Sequence, residues 1–237
     1  MTDRIVRLLH VAGVAILTIG ALLGVQIPAA SAQPCPDVEV VFARGTGEPP
    51  GVGGVGQAFV DTLRAQVGPR SMDTYPVNYV ASGDFGDRIG FARTVVDGIR
   101  DAGTHVEATA ANCPNTRIVL AGYSQGAVVA GYVTAAVIPD AVPAEYRSFI
   151  PNPMPPDVAN HVAAVVLFGK PSAQWLTDAG APPVVIGPLY VPKTIELCAD
   201  GDTICNGAPL GGPSIAHAMY PMNGMVNQGA EFAAGRL

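Results

Sequence analysis

Gly122-Tyr123-Ser124-Gln125-Gly126 stands between Arg117-Ile118-Val119-Leu120-Ala121 and Ala127-Val128-Val129-Ala130-Gly131-Tyr132-Val133. The run before it is apolar and rich in β-branched residues, which reads as a buried strand. The run after it has helical length and meets no proline before Pro139, which reads as a helix. A Gly-x-Ser-x-Gly between a strand and a helix is the setting of a nucleophile elbow. Such a turn is so tight that a side chain at either glycine would meet the neighbouring strand or helix. It presents the serine on its point, with a helix N-terminus behind. Gly and Ser are common residues, so the bare pattern is weak and its flanks carry the weight.

Outward from the elbow, strand and helix signals alternate. Val38–Ala43 is a short apolar strand, followed by a loop rich in turn residues over 44–51. Val55, Ala58, Phe59, Leu63 and Val67 have helical spacing. Residues 73–80 read as a strand, with Pro76 placing it near a sheet edge. Ile89, Phe91, Val95, Val96, Ile99 and Val106 recur at three and four over 87–111, weakened locally by Gly98 and Gly103. Beyond the elbow, 139–156 is Pro-rich and irregular, 162–168 is a strand, 179–188 is loop and 191–197 is the last strand. Residues 207–213 form a flexible loop, and a closing helix begins around His217. The alternation predicts one α/β domain with a mostly parallel sheet and helices on both faces.

The first 32 residues are set apart. Arg4 and Arg7 form a basic start, 11–25 is apolar but short for a membrane span, and Ala30-Ser31-Ala32 is a small-residue cleavage site. This is the pattern of a signal peptide, so the remaining chain from Gln33 is expected to be exported. The whole chain carries −6; the leader holds two arginines and one aspartate, leaving 11 basic and 18 acidic side chains, or −7. That balance argues against nucleic acid and against electrostatic attachment to anionic lipid. Only 14% of residues are charged and mean hydropathy is +0.33, so a transient contact with a lipid or polymer interface is expected.

All four cysteines, Cys35, Cys113, Cys198 and Cys205, lie beyond the leader. An even count in an oxidising compartment predicts two disulfides, in any of three pairings. Cys198–Cys205 would close a short loop; Cys35–Cys113 would then tie the chain start to the segment entering the central strand. No Cys-x-x-Cys is present, which argues against zinc. Gly51-Val52-Gly53-Gly54-Val55-Gly56 fits a dinucleotide fingerprint, but a proline-containing loop separates it from the first strand, so it reads as a lead into the first helix.

A serine nucleophile needs a base and a group to orient it, in the chain order Ser, acid, His for this fold. His10 belongs to the leader. His105 is read as a solvated helix residue and His161 as a cap at the wrong end of a strand. His217 remains. Asp200 and Asp202 both follow the last strand inside the Cys198–Cys205 segment and remain equal candidates for the acid; Glu196 lies within the strand. The oxyanion donors are expected at the Gln125 backbone N–H and in the loop near 44–47.

The stretches Phe42-Ala43-Arg44-Gly45-Thr46, Gly122 to Gly126, Phe168-Gly169, Cys198 to Cys205 and Ala216-His217 resemble the cutinase family, and most of all its secreted mycobacterial esterases. The resemblance spans nearly the whole chain after the leader. It implies an α/β-hydrolase without a large lid. It implies Ser124 as nucleophile, His217 as base, Asp202 as acid, and Thr46 and Gln125 as oxyanion donors. It also implies the pairs Cys35–Cys113 and Cys198–Cys205. Where fungal members often carry serine, this chain has Thr46, which keeps the hydroxyl and adds a methyl; loops 179–188 and 207–213 match poorly.

The expected activity is hydrolysis of short- to medium-chain acyl esters, lipids or polyesters by a monomer, without cofactor or metal. A neutral to mildly alkaline optimum is expected, because His217 must be unprotonated to act as base. An acetylxylan-type esterase, a phospholipase or a thioesterase would use the same residues. An inactive secreted binding protein is the reading from another class.

Overall fold

The computed structural model describes residues 34–208 and 212–237. The expected leader, residues 1–32, and part of the loop 207–213 lie outside them. Strands β1 (Val38–Ala43), β2 (Met72–Pro76), β3 (Arg117–Tyr123), β4 (Val162–Phe168) and β5 (Thr194–Leu197) form one parallel sheet in the order β2-β1-β3-β4-β5. The mostly parallel sheet expected is thus wholly parallel among the described residues.

Helices α1 (Gly53–Gln66), α2 (Arg88–Asn112) and α3 (Gln125–Val133) connect the first four strands. One-turn α4 (Ala144–Arg147) and short α5 (Ala173–Asp178) lie in the later connections. Then α6 (Ile215–Ala218) and α7 (Met225–Ala234) close the chain.

Strand alternation sorts the core into two layers. Val38, Val40 and Phe42 of β1 and Val119 and Ala121 of β3 pack with Phe59 and Leu63 of α1 and Ala230 of α7. Val41, Ile118 and Leu120 face the other way, against Val106 of α2 and Val129 of α3. A register shift opposite Ile118 and Val119 in the β3–β4 pairing puts both Val162 and Val165 in the second layer. β4 is buried along its whole length, as its unbroken apolar run requires.

Two strand boundaries differ from the sequence reading. β2 ends at Pro76; Val77 still donates to Phe42 O, and the chain then leaves the sheet and buries Tyr79. β5 starts at Thr194; Val191–Lys193, with Pro192 inside it, is a 3-10 turn instead. His217 sits in one-turn α6, and the longer closing helix begins only at Met225.

From β1 the chain passes through α1 to β2 on one side, and from β2 through α2 to β3 on the other side of β1. The direction of winding therefore reverses between β1 and β3. Open parallel sheets leave a crevice at the carboxyl ends of strands flanking such a reversal. The loop after β1 and the turn after β3 both open there.

Candidate active site

Ser124 links β3 to α3 with φ 55° and ψ −118°, a left-handed conformation for a residue with a side chain. Such backbone costs about 1–3 kcal/mol and persists only where its surroundings enforce it. Its N–H donates to Phe168 O at 2.9 Å, which fastens the turn to β4. The flanking glycines are forced by contact. A Cβ on Gly122 would stand 2.1 Å from Gly126 O, and one on Gly126 only 1.9 Å from Ala43 O. The first turn of α3 therefore lies directly on the end of β1.

His217 reaches the serine from near the far end of the sequence. Its Nε2 is 2.9 Å from Ser124 Oγ across 93 residues of sequence. Its Nδ1 is 2.9 and 2.8 Å from the two oxygens of Asp202. A carboxylate can only accept, so Nδ1 carries the proton and Nε2 is left to accept from the serine hydroxyl. The Asp202 side chain is fully buried, and His217 is nearly so. Burial pushes the Asp202 carboxyl up, but hydrogen bonds from His217, Tyr220 and the Ile204 N–H outweigh it and hold the group below its usual range.

Asp200 and Asp202, equal by sequence order, are separated by the turn between them. Gly201 has φ +80°, and Asp202 N–H donates to Ala199 O at 2.9 Å. Asp202 points inward to His217, while Asp200 is exposed. Glu196 pairs with Lys170 at 3.3 Å. The disulfides are Cys35–Cys113 and Cys198–Cys205, and the second closes the loop that holds Asp202.

The loop after β1 is held by buried polar groups that the sequence reading did not single out. Arg44 is 4% exposed and donates to Glu48 O, Val77 O and Tyr79 O. Tyr79 OH donates to Arg44 O in return. The Glu48 carboxylate accepts from Gly45 N–H at 2.6 Å and from Gly54 N–H at 2.7 Å, tying the loop to the start of α1. Thr46 lies inside this frame, half-buried, and Gly47 N–H donates to Ala81 O at 2.7 Å. No hydrogen bond among the described residues joins Thr46 to Ser124 or His217; the packing of Gly126 on Ala43 and Arg44 is what puts its loop beside the elbow.

Gln125 opens α3, so its N–H has no partner within the helix and is left at the positive helix end. The Gln125 side chain is buried and its amide donates to Ser82 O at 3.1 Å.

Two further side chains touch His217 or its acid. Tyr123 OH donates to His217 O at 2.7 Å, and its ring lies 5.1 Å from the imidazole. Tyr220 OH donates to Asp202 Oδ2 at 2.7 Å. Gly169, at φ +55°, lets the chain pass beneath them, since a Cβ there would stand 3.0 Å from His217 and from Tyr220. Tyr123 was visible as the x of the elbow and Tyr220 as an aromatic three residues past His217, but nothing local shows where a phenol points.

His105 is not the solvated residue its helix position suggested. It pairs with Glu39 at 2.9 Å and stacks on Tyr75 with ring centroids 3.5 Å apart. Glu39 is the second residue of β1, at the end of the sheet away from Ser124.

The cutinase family model matches residues 34–237. Probable carboxylesterase Culp7 of Mycobacterium tuberculosis (strain ATCC 25618 / H37Rv) is 60% identical over 173 residues, which span 73% of this chain and 89% of that protein. Carboxylesterase Culp1 of the same strain is 47% identical over 242 residues, spanning 100% of this chain and 98% of its own. Trichoderma reesei cutinase, solved in complex with a C11Y4 phosphonate inhibitor, is similar with a TM-score of 0.61 and 30% identity over 85% of this chain and 77% of that one. A match to the family model over all the described residues, on a parallel sheet with the elbow at its switch point, places the chain in the cutinase family.

Proposed function

We propose that the chain is an exported serine esterase, with Ser124 as nucleophile, His217 as base and Asp202 as the acid that orients it. The observation that carries this reading is the unbroken run of contacts from Asp202 Oδ2 through His217 to Ser124 Oγ, at 2.8 and 2.9 Å. His217 Nε2 takes the hydroxyl proton as Oγ attacks the ester carbonyl. The new oxyanion lies against the Gln125 N–H and the Thr46 loop, where the helix end and preorganised donors favour negative charge. Collapse expels the alcohol, which leaves with the proton from His217. Water then repeats the sequence on the acyl-serine and frees the acid. No step calls for a metal or cofactor.

The substrate class is acyl esters of short to medium length, in lipids or polyesters. Support comes from the relatives named carboxylesterase. It also comes from exposed apolar residues close in sequence to the site: Phe85 and Ile89, which follow the Ser82 carbonyl that accepts from Gln125, and Ile215, two residues before His217. A secreted binding protein without activity would need no aligned hydroxyl, imidazole and carboxylate.

Labelling with a fluorophosphonate tests the chemistry. Wild type should react and Ser124→Ala should not, with ester turnover falling about 10⁵-fold or more in the variant. Equal labelling of the two proteins would sink the serine-esterase reading. Rates across p-nitrophenyl esters of increasing acyl length, set beside release of acetate from acetylated xylan, separate acyl-chain from carbohydrate esterase activity.

A further inference from the structure

We infer that Tyr220 is a positioning residue for the reaction: its buried phenol donates a hydrogen bond to Asp202 that sets the pH at which His217 becomes a free base. The inference rests on the roles proposed above for Ser124, His217 and Asp202.

The direction of the bond is fixed by the chain itself. Ala199 N–H lies 3.1 Å from the Tyr220 oxygen, and a backbone amide can only donate. The phenol oxygen thus accepts from Ala199, and its single proton is aimed at Asp202 Oδ2, 2.7 Å away. The Tyr220 ring is fully buried, lying edge-on to Tyr123, Phe168 and His217 with centroids 5.8, 6.1 and 6.3 Å away. It has no room to rotate out. Burial, and beyond it the negative charge of Asp202, raise the phenol's pKa far above neutrality, so it remains a donor at any working pH.

Asp202 Oδ2 is also the oxygen nearest His217 Nδ1. Tyr220 and His217 therefore meet at Oδ2, while Oδ1, 2.9 Å from Nδ1, also takes the Ile204 N–H at 2.9 Å. A buried carboxylate with His217 as its one strong donor would favour the imidazolium over a wide pH range. An imidazolium cannot take the Ser124 proton. By drawing charge from Oδ2, Tyr220 weakens that preference and enlarges the unprotonated fraction of His217. The other ionisable groups around this cluster are Tyr123, whose ring lies 5.1 Å from the imidazole and 5.8 Å from the Tyr220 ring, and Glu48, whose negative charge acts on Tyr123.

The test is Tyr220→Phe, which keeps the ring and removes the donor. In the variant, the acidic limb of the kcat/KM profile for p-nitrophenyl butyrate should move up by about half a pH unit or more, since one charge-assisted bond to the acid is lost. KM should change little. An unmoved or lowered limb, whatever happens to the plateau rate, overturns the inference and leaves Tyr220 as packing.

Replacement of Tyr220 by 3-fluorotyrosine covers the case in which the phenylalanine variant does not fold. It keeps the shape and strengthens the donor, so the limb should move down; an upward shift or none overturns the inference. The imidazole titration of His217, followed by NMR in the same proteins, should move in the same directions. That readout does not require turnover, so it judges Tyr220 even if fluorophosphonate labelling of wild type fails and the esterase reading falls.

Discussion

At the scale of the residue, the site depends on keeping one imidazole in one tautomer. Asp202 does this with both oxygens, and it is itself held by Ile204 N–H and Tyr220 OH. Asp202→Asn preserves the shape but offers an amide where a pure acceptor is needed. It should lower kcat about 10⁴-fold with little change in KM, measured on a soluble ester, as expected when the wrong tautomer faces the serine. Full activity in that variant would mean that Asp202 is not the acid. Asp200→Asn, on the exposed side of the same turn, should leave kcat within about twofold, since surface substitutions away from a site have small effects.

At the scale of the element, the elbow is a contact between β1, β3 and α3 that admits no side chain at two positions. Gly126→Ala would drive a Cβ into Ala43 O, a backbone atom that cannot step aside. The expected result is a loss of more than about 3 kcal/mol in urea unfolding, or no soluble protein, because overpacking against backbone exceeds the usual cost of overpacking between side chains. A normal unfolding midpoint would show that the elbow can open. The loop after β1 relies on charge instead. Glu48→Ala strips the acceptor from two backbone N–H groups, at Gly45 and Gly54, and should destabilise by about 2–3 kcal/mol, as expected for lost charged acceptors. Because Thr46 lies between those anchors, kcat should fall more than KM rises; an unchanged kcat would separate that loop from catalysis.

At the scale of the whole molecule, two disulfides hold parts that the sheet does not. Cys35–Cys113 spans 78 residues and joins the chain before β1 to the residue just after α2. By loop entropy its loss should cost about 4.5 kcal/mol, and that of the seven-residue Cys198–Cys205 loop about 2.4 kcal/mol. Paired Cys→Ser variants should therefore differ in kind. The first should unfold at a much lower temperature yet keep its kcat when folded. The second should lose kcat with a smaller loss of stability, because it loosens Asp202. The reverse pattern would contradict this division.

Acid stability follows from the same carboxylate. Asp202 is held below its ordinary value of 3.8 in the folded state. Its contribution is fully present above that value and is lost as the pH falls through the lower folded one. Wild type should thus lose stability more steeply below about pH 4 than Asp202→Asn does, when unfolding free energies are measured across that window.

Much of this was written locally. The elbow glycines, the β-branched strands and the three-and-four spacing of α1 and α2 are steric and periodic facts that hold over a few residues. The order of Ser124, acid and His217 follows from the fold class that those facts imply. An even number of cysteines in a segment expected to be exported implied two disulfides. Local pattern fails where partners are distant in sequence or where direction decides. Residues 191–193 look like strand until Pro192 turns them, and His105 looks solvated until Tyr75 and Glu39 close over it. Asp200 and Asp202 are alike until the Gly201 turn sends one inward and one out. The buried Arg44 and the aim of the Tyr220 hydroxyl depend on segments that meet only when both layers of the sheet are packed. Sequence by itself determined the kind of chemistry this chain can do; tertiary packing decided which carboxylate orients the histidine and which phenol answers it, because hydrogen-bond direction is a property of neighbours in space.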